Sequence, residues 1–344
     1  MKSRALFGRK GLDLEIRELE LPEIGEHDVL LKVHACGVCG TDLNFIRDYE
    51  GDYQSLGHEI SAEVLEIGKA VKNVKAGMNA IVEDCTMCGS CPDCKAGHPE
   101  FCRNMYTLNG QPGMSEYLVV HENSLVPFEK LDHLSAALTE PLAVAYNAVQ
   151  TADLFPGCSV AVMGPGPIGL LCADMCRISG AGNVAVIGRK PRNVMGEARK
   201  QLAESAGYEF FAASGNELKE QVLSLYSAGF DRVIVTAPPQ AVNDALQIIR
   251  YGGKIILLGL SFKPGESVIG FDVNHAVFNK ISLIPSFAEP ALNFPAALAL
   301  IARKKIDVTR YMTHTCGFSG CRELLASALN GDKPVIKPVF CPWQ

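Results

Sequence analysis

Cysteine, histidine and carboxylate side chains are unevenly placed along these 344 residues, and their spacing shows what chemistry they could do. Cys88, Cys91, Cys94 and Cys102 form the pattern C-x2-C-x2-C-x7-C in a stretch rich in Gly and Pro, where backbone can wrap a tetrahedral centre. Four thiolates close the coordination sphere of zinc and leave no position for substrate, so such a site is structural. A redox CxxC comes as one pair beside a helix and has no use for four ligands. An iron–sulfur cluster also takes four cysteines and is the alternative occupant. Cys85 is a spare thiol beside this knot.

Three further segments supply ligands of mixed type: Cys39 in Cys36-Gly-Val-Cys-Gly-Thr-Asp42, His58 with Glu59 in Gly57-His-Glu, and Glu140 in Thr139-Glu-Pro-Leu-Ala143. A thiolate, an imidazole and one or two carboxylates can hold zinc while exchanging one ligand, which catalysis requires. Asp42 could orient one of these ligands from behind. Taken singly each is ordinary, since a lone His usually satisfies a local hydrogen bond and a Glu before Pro usually opens a helix. Their weight is collective.

A third group is a glycine loop. Val160-Ala-Val-Met-Gly-Pro-Gly-Pro-Ile-Gly169 is an apolar strand running into Gly164-x-Gly166-x-x-Gly169, with Pro167 and Ile168 opening an apolar helix. The glycines allow a tight turn, close approach of a pyrophosphate and helix-to-strand packing, while the helix start offers free N–H groups to the phosphates. An NAD site carries Asp or Glu about twenty residues further on, to hold the ribose diol. Here Gly188 stands in that place, followed by Arg189, Lys190 and Arg192. Room and positive charge for a 2′-phosphate predict NADP over NAD; the alternative is a solvated basic turn.

These groups must be carried by elements of two kinds. Up to about residue 150 the pattern is of short strands (28–35, 60–67, 78–82, 117–120) between Gly, Pro and Cys clusters, an irregular and mostly β domain. From 151 to 284 apolar strands alternate with helices: 159–163, a helix from 168, 184–187, a helix over 194–206, 231–236, a helix over 240–250, and 254–260. That alternation predicts an α/β, doubly wound parallel sheet. Residues 285–344 are too few for a third core and are expected to return to the first domain.

Composition narrows the partners. A formal charge of -6 and a pI near 5.8 disfavour nucleic acid and anionic membranes, leaving a small molecule. No signal peptide or membrane-spanning run is visible, which predicts a cytoplasmic protein. Thirteen cysteines in a chain of this length do not read as a disulfide scaffold. Seven fall between Cys36 and Cys102 and need a chemical explanation; the rest sit among apolar neighbours.

The cysteine knot, the mixed ligand set and the glycine loop together closely resemble the zinc-containing medium-chain alcohol dehydrogenases, especially the sorbitol, glucose and threonine dehydrogenase branch. The resemblance implies a GroES-like catalytic domain and a Rossmann domain. It also implies two zinc ions, one structural and one catalytic, the latter on Cys39, His58 and either Glu59 or Glu140. By the same resemblance, Thr41 takes the proton of an alcohol whose pKa the zinc lowers. The chain departs from the pattern in a shortened loop between Cys39 and His58, in Asn44 where a titrating His is common, and in Ala288 near a polyol-gripping Arg. The implied activity is hydride transfer between a small polyol, sugar or sugar-derived secondary alcohol, or its ketone, and NADP, in a homodimer or homotetramer. The alternatives are a threonine-dehydrogenase-like enzyme for amino alcohols and a non-catalytic dinucleotide- or zinc-binding protein on the same fold.

Overall fold

The computed structural model describes residues 1–49 and 51–344. The chain forms two compact units: Met1–Ala143 with Ala288–Asn330 and Lys337–Gln344, and Val144–Phe287 with Gly331–Ile336. The changeover falls inside the helix Thr139–Ala152, earlier than the sequence pattern suggests, because one helical period runs through the boundary and no turn residue marks it. Gly331–Ile336 also leaves the terminal stretch for the second unit, where the Met195 N–H donates to the Gly331 carbonyl at 3.2 Å.

The first unit is built on a seven-stranded sheet. Its spine is Asp28–Gly37, paired antiparallel with Glu59–Ile67 and Tyr117–His121, and Glu59–Ile67 pairs in turn with Asn79–Val82. Val29, Leu31 and Val33 alternate into one core with Ile60, Ala62 and Val64, the period of two that half-buried strands require. Lys337–Phe340, more than three hundred residues from the start of the chain, closes on Cys36 and Gly37, so the C-terminal segment becomes part of this sheet. A separate hairpin, Lys2–Arg9 with Asp13–Glu20, was not legible in the pattern. Its outer face is so rich in Lys, Arg and Glu that the alternation carries little apolar signal.

The second unit holds a six-stranded parallel sheet. The spatial order is Glu209–Ala212, Asn183–Gly188, Ser159–Met163, Phe230–Val235, Ile249–Leu257 and Ser282–Pro285. Read as 3-2-1-4-5-6, this is the doubly wound order whose reversal point lies at Ser159–Met163. Buried Ala161, Met163, Ala185, Ile187, Val233 and Val235 fill its core. The helix expected to reach Arg250 stops at Ile248, because Ile249 already opens the next strand; consecutive β-branched residues favour the extended chain. Among the described residues no helix is long and apolar enough to cross a membrane.

Candidate metal centres and dinucleotide site

The four knot cysteines converge. Their sulfurs lie within 4.8 Å of one another, with Cys91 to Cys102 at 3.9 Å and Cys102 to Cys88 at 3.6 Å. Tetrahedral zinc with Zn–S bonds of about 2.3 Å sets its sulfurs about 3.8 Å apart, whereas a disulfide needs about 2.05 Å. All thirteen cysteines are unbridged. The Cys88 sulfur accepts N–H groups from Ser90 at 3.4 Å and Cys91 at 3.3 Å. These donors, Ser90 first, pull the Cys88 thiol down to about 6, towards the thiolate a metal binds. The donor set fits a closed structural zinc site. Cys85 stands apart: burial and the nearby acids push its thiol up to about 12, and it donates to the Met105 sulfur at 3.2 Å.

The second metal-sized group is Cys39, His58 and Glu59, whose ligand atoms also lie within 4.8 Å of one another. Cys39 is the cap residue of the helix Gly40–Asp48, and His58 immediately precedes the strand Glu59–Ile67. Asp42, 1% exposed, ties the two segments together: its carboxylate accepts the Cys39 N–H and the Gly57 N–H, both at 2.9 Å. The same carboxylate is 4.0 Å from His58 Nδ1. One short acid therefore fixes the separation of the loops that carry Cys39 and His58. Thr41 sits half-buried in the first turn of that helix, and Asn44 accepts from Arg47 at 2.6 Å, so its amide is already engaged.

Glu59 is fully buried, and its pairing explains why. One carboxylate oxygen accepts from Lys337 Nζ, which also donates to the Val38 carbonyl at 2.9 Å, while the other, Oε2, has no partner among the described residues. A Cβ at Gly37 would overlap that free oxygen, so only glycine leaves room for it. Glu140, in the first turn of Thr139–Ala152, stands outside the 4.8 Å group. Burial and the Glu59 carboxylate push Glu140 up to about 8. Burial opposes a charge on His58, yet Cys39, Asp42 and Glu140 outweigh it and hold the imidazole well above its ordinary range. A thiol, an imidazole and a buried carboxylate with one oxygen left unpartnered among the described residues fit a divalent cation. Lys337 was missed in the sequence because its partner is 278 positions away.

In the second unit the glycine loop joins Ser159–Met163 to the helix Pro167–Ile178. Gly164 has φ +108°, which other residues rarely adopt, and a Cβ at Gly169 would overlap the Gly164 carbonyl. Gly166, the cap residue, faces open space, and Pro167 and Ile168 follow as the first helical positions. An uncluttered helix start with free N–H groups fits a pyrophosphate. Gly188 ends its strand packed so closely that a Cβ would meet Phe210 Cζ at 2.9 Å and Pro165 Cγ at 3.0 Å. Arg189 and Lys190 are exposed beyond it, and Lys190 pairs with Glu217 at 2.8 Å.

Comparison with known proteins agrees with both units. Residues 25–130 match the alcohol dehydrogenase GroES-like domain and residues 167–303 the zinc-binding dehydrogenase domain. Sorbitol dehydrogenase of Halalkalibacterium halodurans is 30% identical over 87% of this chain and 88% of its own length. That of Bacillus subtilis is 28% identical over 96% and 94%. A candidate zinc-binding dehydrogenase of Sinorhizobium meliloti 1021, solved bound to NADP, superimposes with a TM-score of 0.82 at 25% identity, covering 99% of this chain and 100% of that one. With its GroES-like and Rossmann units and two clusters of side chains of types that could hold a metal, the chain belongs to the zinc-containing medium-chain alcohol dehydrogenase family of oxidoreductases.

Proposed function

We propose that this protein transfers a hydride between the secondary alcohol of a small polyol or sugar derivative, or the matching ketone, and NADP. The observation that carries this reading is the Cys39–His58–Glu59 group with its buried, unpartnered carboxylate oxygen. Zinc bound there supplies a Lewis acid for the substrate hydroxyl, and the nicotinamide supplies the hydride acceptor. Cys39 and His58 hold the metal, Asp42 sets the distance between them, and Glu59 or Glu140 completes the donor set. Thr41, two residues after Cys39, receives the alcohol proton through its hydroxyl. Cys88, Cys91, Cys94 and Cys102 hold a second, structural zinc.

Preference for NADP rests on the ribose end of the dinucleotide site. The packing around Gly188 resists any side chain there, including the acid that would repel a 2′-phosphate. Arg189 and Arg192 are exposed, and the Lys190–Glu217 pair is a surface pair that a phosphate can displace at little cost. NADPH should bind the wild-type protein more tightly than NADH, and Arg189→Ala should flatten the difference; equal affinity in the wild type rejects this preference. A closed homodimer or homotetramer in the cytoplasm completes the proposal. Oxidation of a polyol panel by the zinc-loaded protein, followed as NADPH absorbance, tests the activity, and a protein inert towards every alcohol would defeat it.

A further inference from the structure

Two cysteines outside both metal-sized groups meet in the first unit. Cys316 ends the strand Met312–Cys316 and Cys321 opens the helix Cys321–Asn330, with the turn Gly317-Phe-Ser-Gly320 between them. Gly320 keeps that turn tight: a Cβ built on it would meet Cys316 Cβ at 3.7 Å, and its carbonyl accepts the Leu324 N–H at 3.2 Å as the helix begins. Both thiols lie in one hydrophobic core with Ile46, Leu325 and Phe340, Cys316 being 6% exposed and Cys321 1%. A third cysteine, Cys341, is half-buried beside them, its N–H donating to the Cys316 carbonyl at 2.8 Å. All three belong to the first unit, and none is bridged.

Apolar surroundings alone would make these thiols inert fillers of the core. Here two of them act on each other. The Cys321 thiol donates a hydrogen bond to the Cys316 sulfur, which holds Cys316 below the ordinary thiol range although burial opposes it. The same hydrogen bond, and then burial, keeps Cys321 well above that range, so the proton of the pair stays on Cys321. Burial and then the Cys316 sulfur push Cys341 up to about 11, which leaves it a protonated bystander near neutral pH. A sulfur inclined to be thiolate, with a protonated thiol in hydrogen-bond reach, is the division of labour between an attacking and a resolving cysteine.

From this juxtaposition we propose that Cys316 and Cys321 form a modification site, a dithiol that a small peroxide closes to a reversible disulfide. The Cys316 thiolate attacks one peroxide oxygen, the O–O bond breaks, and the departing hydroxide is protonated to water, leaving Cys316 as a sulfenic acid. The Cys321 sulfur then attacks the Cys316 sulfur, the S–O bond breaks, and the Cys321 proton leaves with the hydroxyl as a second water. The peroxide gains two electrons, and two thiols become one S–S bond. Only a small oxidant suits a sulfur so nearly covered, and in a reducing compartment such a pair rests open and closes transiently. Closure fastens the start of the helix Cys321–Asn330 to the sheet, and that helix packs on Gly40–Asp48, which carries Thr41 and Asp42. The site uses neither metal nor dinucleotide.

The test treats the full-length, zinc-loaded protein with hydrogen peroxide, then unfolds it, alkylates free thiols with iodoacetamide and digests it with trypsin. Cleavage after Arg310 and Arg322 releases Tyr311–Arg322, which holds both cysteines and no other. Mass spectrometry should find that peptide unalkylated and lighter by two hydrogens, and dithiothreitol added before alkylation should return it to the doubly alkylated form. Cys316→Ser should abolish the lighter peptide and leave Cys321 alkylated. Cys321→Ser should abolish it too, but leave Cys316 as a sulfenic acid that dimedone captures. Zinc content should match that of untreated protein, which separates this chemistry from attack on the Cys88–Cys102 knot. Full alkylation of Tyr311–Arg322 after peroxide has already oxidised a knot cysteine, a cross-link from Cys316 to the peptide carrying Cys341, or dimedone capture on Cys321 in place of Cys316 would overturn the inference. The wild-type peptide decides alone if either variant misfolds. Because no turnover is read, the outcome is independent of whether the protein oxidises alcohols.

Discussion

Replacing Lys337 by Met should be among the most costly single changes in the first unit. Its side chain is 4% exposed and that of Glu59 0%, so the charges neutralise one another where water hardly reaches. Methionine keeps the aliphatic volume of the stem but strands the Glu59 carboxylate and leaves the Val38 carbonyl without its donor. Removing one partner of a buried pair costs about 3–5 kcal/mol, a large share of a whole domain's stability of about 5–15 kcal/mol. Removing both charges with the double variant Lys337→Met/Glu59→Gln should recover about 1–3 kcal/mol of that loss, the coupling of neighbours in one network. Urea unfolding at fixed zinc concentration reads this conveniently. The only tryptophan, Trp343, donates to the Val33 carbonyl at 2.6 Å and so reports on the sheet that carries Glu59. A single variant within about 1 kcal/mol of wild type, or a double variant no more stable than the single, would refute the view that this pair organises the site.

Other residues give sharper tests of the metal sites and of pH dependence. Asp42→Ala removes the acceptor shared by the Cys39 and Gly57 amides, so catalytic-zinc affinity should fall about 10–100-fold in a chelator competition while the knot keeps its metal. Unchanged affinity would deny Asp42 its positioning role. Cys91→Ser should lose the structural zinc and expose its lobe to protease, since three ligands do not close the sphere. Retained metal and protease resistance would contradict this. Burial raises the Glu83 carboxyl from 4.5 to about 7, so the folded protein keeps a proton that the unfolded chain releases. Stability from this group is full below about pH 4.5 and declines as pH rises through about 7, by roughly 3 kcal/mol. Glu83→Gln should remove that decline relative to wild type, and parallel pH–stability curves would show that the group is not perturbed.

Much of this was written locally. The knot needs only cysteines a few positions apart, and the glycine loop needs one strand, one turn and one helix start, so both were visible in contiguous sequence. The doubly wound order followed from alternating strands and helices for the same reason. What stayed hidden depends on register between distant segments. Nothing in the run Val335-Ile-Lys-Pro338 announces that Lys337 will meet Glu59, nor does Gly37 announce that it clears space for that carboxylate. The choice between Glu59 and Glu140 was likewise open, and only the folded chain shows Glu59 inside the metal-sized group with Glu140 beyond it.

The most direct measurement is zinc content by elemental analysis of the purified protein and of Cys39→Ser, each paired with an assay of alcohol oxidation. Wild type should carry about two zinc ions per chain, and the variant should keep about one, stay folded and lose turnover. A wild-type protein holding only the knot zinc while still oxidising alcohols, or a Cys39→Ser protein with unaltered metal content and rate, would contradict the assignment of a catalytic metal to Cys39, His58 and a neighbouring glutamate.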